Sequence, residues 1–214
     1  MCVTLVNYFH LLSRIVSGIF EPPFFFIVLN FHLKLLLMKL LSLKKMLGWV
    51  VLLALVSGFF VPHELTMPVE GANEKSYHPK SFWYYPWGKS VTHKGVDIFA
   101  KEKTPVLAAT KGFVLYTGIL KKGGNVVVVL GPRWRLHYYA HLHEVKTSWL
   151  SWVKAGEIIG SVGTSGNAKG KPPHLHYAIA TLLPYPWRID GERQGWKKMF
   201  YLNPIEYMKP TPKS

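Results

Sequence analysis

Gly112-Phe-Val-Leu-Tyr-Thr-Gly-Ile-Leu120, followed by Lys121-Lys-Gly-Gly-Asn125 and Val126-Val-Val-Val129, is the stretch on which the fold turns. β-Branched and aromatic residues crowd both flanks, and such side chains suit a pleated, extended backbone. The adjacent glycines between them accept the positive φ that a tight hairpin demands. The solid apolar run Val126 to Val129, bordered by asparagine and glycine, fits a strand buried on both faces. Outward from this hairpin lie further short β-type runs punctuated by glycine: Pro105 to Ala109, Leu136 to His141, Glu157 to Val162 and Leu175 to Ala180. After Pro62 there is no long helical period and no internal repeat. The expected fold class is therefore mainly β, an antiparallel sheet whose loops form an open groove.

Ahead of this region the composition changes. Met46 to Val61 is a 16-residue stretch without a charge, preceded by Lys39, Lys44 and Lys45. That is the charge layout of a signal anchor or signal peptide, with the basic end cytoplasmic and the downstream residues exported. Val56-Ser57-Gly58 is a poor cleavage site, which favours an uncleaved anchor. Phe24 to Leu41 is a second apolar stretch, entered through Pro22-Pro23 and interrupted by Lys34 and Lys39. Residues 1–45 carry two readings: an extra membrane span, or residues ahead of a true start at Met38 or Met46. The expected organisation continues with a linker over 62–85, a β-rich domain over 86–184 and an aromatic, basic extension over 185–214.

The only cysteine, Cys2, excludes a disulfide framework and a thiolate metal site, so a metal must be held by His, Asp or Glu. It is read as inert. The formal charge is +15, and from Pro62 onward 21 Lys and Arg stand against ten Asp and Glu. Such a surface attracts polyanions, but charge alone does not choose among nucleic acid, anionic lipid and wall polymer.

Ten histidines occur, and position gives four of them meaning. They fall, with one aspartate, into His93-Lys-Gly-Val-Asp97, Tyr139-Ala-His141-Leu142 and His174-Leu-His176. Side chains two apart on a strand leave the same face, so His174 and His176 point into one site if that run is extended. Gly95 permits a sharp bend between His93 and Asp97. Zinc that performs hydrolysis takes three protein ligands and keeps one position open. His93, Asp97 and either His174 or His176 supply that set; the other member of the pair and His141 are then free to move protons.

In order and spacing these residues resemble the lysostaphin-type, or LytM-like, zinc metalloendopeptidases, over roughly Tyr77 to Thr181. His93-Lys-Gly-Val-Asp97 is similar to the family's first ligand motif. Pro105 to Val114, Gly123-Gly-Asn-Val-Val-Val128, Tyr139-Ala-His-Leu142, Val153 to Gly160, Gly163-Thr-Ser-Gly166 and Pro173-His-Leu-His-Tyr177 come in the family's sequence of elements. The resemblance implies that His93, Asp97 and His176 bind Zn2+ while His141 and His174 are catalytic. It also implies the family's antiparallel β fold with an open groove, and hydrolysis of peptide bonds in bacterial peptidoglycan. The expected partners are peptidoglycan and, through the apolar segment, a membrane, without nucleic acid; the expected location is the extracytoplasmic face of the bacterial membrane. The alternative is an inactive LytM-like regulator that binds a wall hydrolase, disfavoured because all five expected site residues are present.

Several neighbours carry plainer readings. His137 and His143 flank His141 in strand alternation, which would put them on its face, and are read as groove-wall or solvated residues. Trp83, Tyr84, Tyr85 and Trp87 are read as packing of a loop rather than a sugar platform. Lys121, Lys122, Arg133 and Arg135 are candidates for contact with acidic stem-peptide groups.

Overall fold

The computed structural model describes residues 22–62 and 65–209. Cys2 and the start of the leader lie outside the described residues, as do residues 63–64 and 210–214. The chain divides into two units, Met1–Val56 and Ser57–Ser214.

Among the described residues the first unit is a helix, α1, Pro22–Phe60, 39 residues long, whose last turn lies past Val56. Its two prolines sit in the first turn, where their missing N–H groups cost nothing. The two apolar stretches expected on either side of Lys44 and Lys45 are thus one continuous helix. Apolar side chains lie exposed all round it, from Leu29 to Phe60. Leu29–Phe60, 32 residues, is long and apolar enough to cross a membrane, for which about 20 residues suffice.

The second unit is built from short strands: β1 (Leu65–Thr66), β2 (Val96–Phe99), β3 (Pro105–Leu107), β4 (Gly112–Leu120), β5 (Gly124–Gly131), β6 (Arg135–Val145), β7 (Trp152–Val153), β8 (Ile158–Val162), β9 (His174–Thr181), β10 (Tyr201–Leu202) and β11 (Met208–Lys209). Nine of them form one antiparallel sheet whose main path runs β10-β9-β6-β5-β4-β7; β2 joins β9, and β3 joins through β8 to β6. The expected hairpin is β4–β5, closed where Leu120 pairs with Gly124 at φ +64°. β3 stops at Leu107, short of the expected Ala109, because the register breaks after Val106 and the Ala108 N–H turns to Glu157 O.

Alternation on paired strands sorts the side chains. On β9, Leu175, Tyr177 and Ile179 enter the core, together with Val96 and Ile98 of β2 and Tyr139 of β6, all fully buried. Each such residue contributes about 1.5–3 kcal/mol by leaving water. His174 and His176 leave the opposite face. The segment expected as a linker, 62–85, carries core residues: Leu65, Met67 and Val69 are buried and Val69 bridges to Val106. Residues 185–209 likewise pack into this unit, for β10 extends the sheet beside β9, Leu202 is buried, and β11 pairs in parallel with β1.

Candidate metal centre

Asp97 on β2 lies directly opposite His176 on β9, so ladder pairing alone sets carboxylate beside imidazole. Gly95 makes the approach tight enough that a Cβ there would meet Tyr177 O at 2.5 Å and the His176 ring at 3.0 Å. His93 arrives from the preceding turn and is clamped by the aromatic loop. Its Nδ1 lies 2.9 Å from Ser81 O, its backbone pairs with Trp83 and Tyr84, and Trp87 stacks on its ring at 4.1 Å between centroids. A carbonyl only accepts, so His93 Nδ1 carries the proton and Nε2 keeps its lone pair.

Three donor atoms then converge. His93 Nε2 is 3.1 Å from Asp97 Oδ1, His176 Nδ1 is 2.8 Å from the same oxygen, and the two ring nitrogens are 3.1 Å apart. Lone-pair atoms crowded this closely require a cation among them, either a proton on His176 or a metal ion. Their separations approach the roughly 3.3 Å edge of a tetrahedron with zinc–nitrogen bonds of about 2.0–2.1 Å, so the donor set fits such an ion. Burial pushes the Asp97 carboxyl up, but a proton on His176 and the two imidazoles beside the carboxylate outweigh it and hold the group well below the ordinary carboxylate range.

His174 and His141 face the same space without joining the trio. His174 Nδ1 donates to Pro172 O at 2.8 Å and its Nε2 stands 3.9 Å from Asp97 Oδ2. His141 Nδ1 donates to Ser165 O at 2.9 Å, and its ring lies 5.1 Å from that of His174. Burial, together with the charge of His176, draws the His141 imidazole down to about 4, so it is neutral at pH 7.

His141 reaches this face through an irregularity. Between Asn125/Leu142 and Val127/Tyr139 strand β6 holds one residue more than β5, a β-bulge, and His141 has φ +63°. Uninterrupted alternation would have sent His141 inward with His137 and Tyr139. The expectation that His137 shares the face of His141 is therefore corrected: His137 is fully buried and hydrogen-bonded at 2.7 Å to the Tyr177 hydroxyl. His143 is exposed and pairs with Glu102. Of the basic residues considered, Lys122 lines a cleft beside His93 and His176, whereas Arg135 is buried against Tyr207. In the aromatic loop Trp83 is buried, and its indole N–H donates to Arg193 O at 3.0 Å.

The features that sequence reading missed are mostly backbone atoms. The carbonyls of Ser81, Ser165 and Pro172 select the tautomers of three histidines, and no side-chain pattern advertises a carbonyl. Gln194 was also missed; it enters the cleft from the tail and accepts from Lys94 Nζ at 2.7 Å. Burial, with the charges of Lys197 and Lys122, lowers the Lys94 ammonium.

An antiparallel sheet with a His–Asp–His group at one face, joined by two further histidines, defines a class of β proteins equipped to hold a single divalent metal. Residues 91–186 match Peptidase family M23. It is 32% identical over 155 residues to the L-Ala--D-Glu endopeptidase of Bacillus subtilis, covering 64% of this chain and 46% of that protein. It is 32% identical over 120 residues to the DD-carboxypeptidase/endopeptidase Mpg of Neisseria meningitidis, covering 56% of this chain and 24% of that protein. The chain thus spans less than half the length of either relative. In fold it is similar to lysostaphin from Staphylococcus simulans, with a TM-score of 0.52 and 24% identity, covering 68% of this chain and 54% of that one.

Proposed function

We propose that the chain is a zinc-dependent endopeptidase that hydrolyses peptide bonds in bacterial peptidoglycan, in stem peptides or cross-links. The observation that carries this reading is the convergence of His93 Nε2, Asp97 Oδ1 and His176 Nδ1, with two more imidazoles aimed at the same space. His93, Asp97 and His176 hold the metal in this reading. Zinc, when bound, lowers the pKa of its water to about 7 and polarises a carbonyl oxygen. His141, neutral because it is buried, has the ring state a general base needs; His141 or His174 takes the proton from the attacking water and returns it to the departing amine. The carbonyls of Ser165 and Pro172 keep both Nδ1 atoms protonated, so each Nε2 is the atom that exchanges protons. In this reading the cleft beside His93 and His176 accepts an extended peptide.

The apolar helix α1, with Lys39, Lys44 and Lys45 ahead of its final uncharged stretch, supports placing the β unit outside the cytoplasm on a membrane tether. The test uses the purified full chain in detergent micelles. Metal content is read by mass spectrometry and cleavage by the muropeptides released from purified peptidoglycan. About one zinc per chain is expected, with cleavage abolished by chelator and restored by zinc. A chain that takes up no metal and releases no peptide, yet binds a wall hydrolase tightly, is instead a regulator.

A further inference from the structure

Beside His93 and His176 opens a cleft of about 310 Å3. Its walls bring together four lysines from three parts of the chain: Lys89 and Lys94 from the turns ahead of β2, Lys122 from the β4–β5 hairpin, and Lys197 from the tail. Among the described residues no carboxylate lines this cleft, and none of the four lysines makes an ion pair. Lys198, next in sequence to Lys197, is by contrast paired with Asp190 and Glu192.

The four do not play one part. Lys94 Nζ is held by Gln194 Oε1 at 2.7 Å, by Ser90 O and Thr92 Oγ1 at 3.0 Å, and by Thr92 O at 3.2 Å. An ammonium has three protons to give, so Lys94 is saturated as a donor and supplies charge alone. Lys122 is exposed at the mouth, and Lys197 is half-buried against the Trp196 ring. Like charges gathered on one concave wall repel each other and focus their field outward; an anion seated among them turns that repulsion into binding.

We propose that this cleft is a carboxylate-binding subsite, which binds a free carboxylate of the peptide within a residue or two of the scissile bond. It rests on the hydrolase reading, because the shared walls His93 and His176 put the cleft next to the reacting amide. The substrate class it selects is a stem peptide whose carboxylate is free rather than amidated. A neutral amide offers neither the charge nor the second acceptor oxygen that Lys122 and Lys197 engage.

The experiment compares two synthetic stem peptides that differ only in whether the carboxylate beside the cleaved bond is free or amidated. With the zinc-loaded full chain, kcat/KM favours the acid by about tenfold, the usual reach of a charge-assisted contact. In the Lys122→Gln, Lys197→Gln double variant the ratio falls to about one, whereas Lys154→Gln, a charge removed outside the cleft, keeps the wild-type ratio. Equal rates in the wild type, or a preference that survives the double variant, overturn the subsite. Fluorescence anisotropy of the two labelled peptides on metal-stripped chain reads the cleft without catalysis. If neither peptide is cleaved but the acid still binds more tightly, the hydrolase reading fails while the subsite stands; if neither cleavage nor binding distinguishes them, the subsite fails. Inorganic phosphate that displaces the acidic peptide at equal concentration marks a general anion trap and overturns the peptide preference.

Discussion

Asp97 and His176 face each other across a ladder, and the fate of each imidazole around them is decided by what its second nitrogen touches. Three rings present Nε2 because a backbone carbonyl accepts a hydrogen bond from Nδ1–H; His176 presents Nδ1. In the proposed mechanism this separates ligands from proton carriers and makes distinct predictions for single changes. His176→Ala is expected to lose zinc in equilibrium dialysis, whereas His141→Ala keeps about one zinc per chain and loses cleavage by about 10²–10⁴-fold. The buried His141 ring also links stability to pH. In the metal-free chain its pKa is about 4 against roughly 6.5 when unfolded, so the unfolded state binds the proton first. Stability from this group is complete above pH about 6.5 and is lost as pH falls towards about 4, by at most about 3 kcal/mol. Urea denaturation of metal-free chain at pH 7 and pH 5 is expected to show this loss, and His141→Gln to show a flatter dependence.

At the level of elements, the bulge in β6 and the β4–β5 turn act together. The His141 N–H donates to Gly123 O, and Ser165 Oγ both accepts from the Asn125 N–H and donates to Leu142 O, so the hairpin tip and the bulge brace one another. Gly124 sits at their junction with φ +64°, where a Cβ would collide with Ser165 Oγ and the Gly166 N–H. Gly124→Ala is therefore expected to lower the urea midpoint by an amount equivalent to about 1–3 kcal/mol or more, since strain and collision add. An unchanged midpoint would show that the brace is looser than its distances imply.

Over the whole molecule, two surfaces of opposite chemistry share one chain. α1 exposes apolar side chains on every side, and the β unit carries an excess of lysine and arginine. A helix apolar all round is stable only in lipid or inside protein. The full chain is expected in the membrane fraction, resistant to high salt and to alkaline wash and released by detergent; release by salt alone would mean that charge, not α1, holds it there.

The β runs, the hairpin at Lys121 to Asn125, the apolar leader and the three histidine patterns could all be read along the chain, because period-two alternation, glycine pairs and sustained hydropathy are local signals. Strand spacing alone said that His174 and His176 share a face, and on β9 both leave the face turned towards Asp97. The choice between them, like the separation of His141 from His137, needed neighbours far away in sequence. Asp97 stands opposite His176 by sheet register, and His141 turns outward because β6 holds one residue more than its partner strand. The carbonyls that set each tautomer and the tail residues Gln194 and Lys197 reach the groove only through packing. Local pattern determines which face a side chain leaves; register, bulges and the return of the tail decide what it meets there, since those are contacts between segments and belong to no one of them.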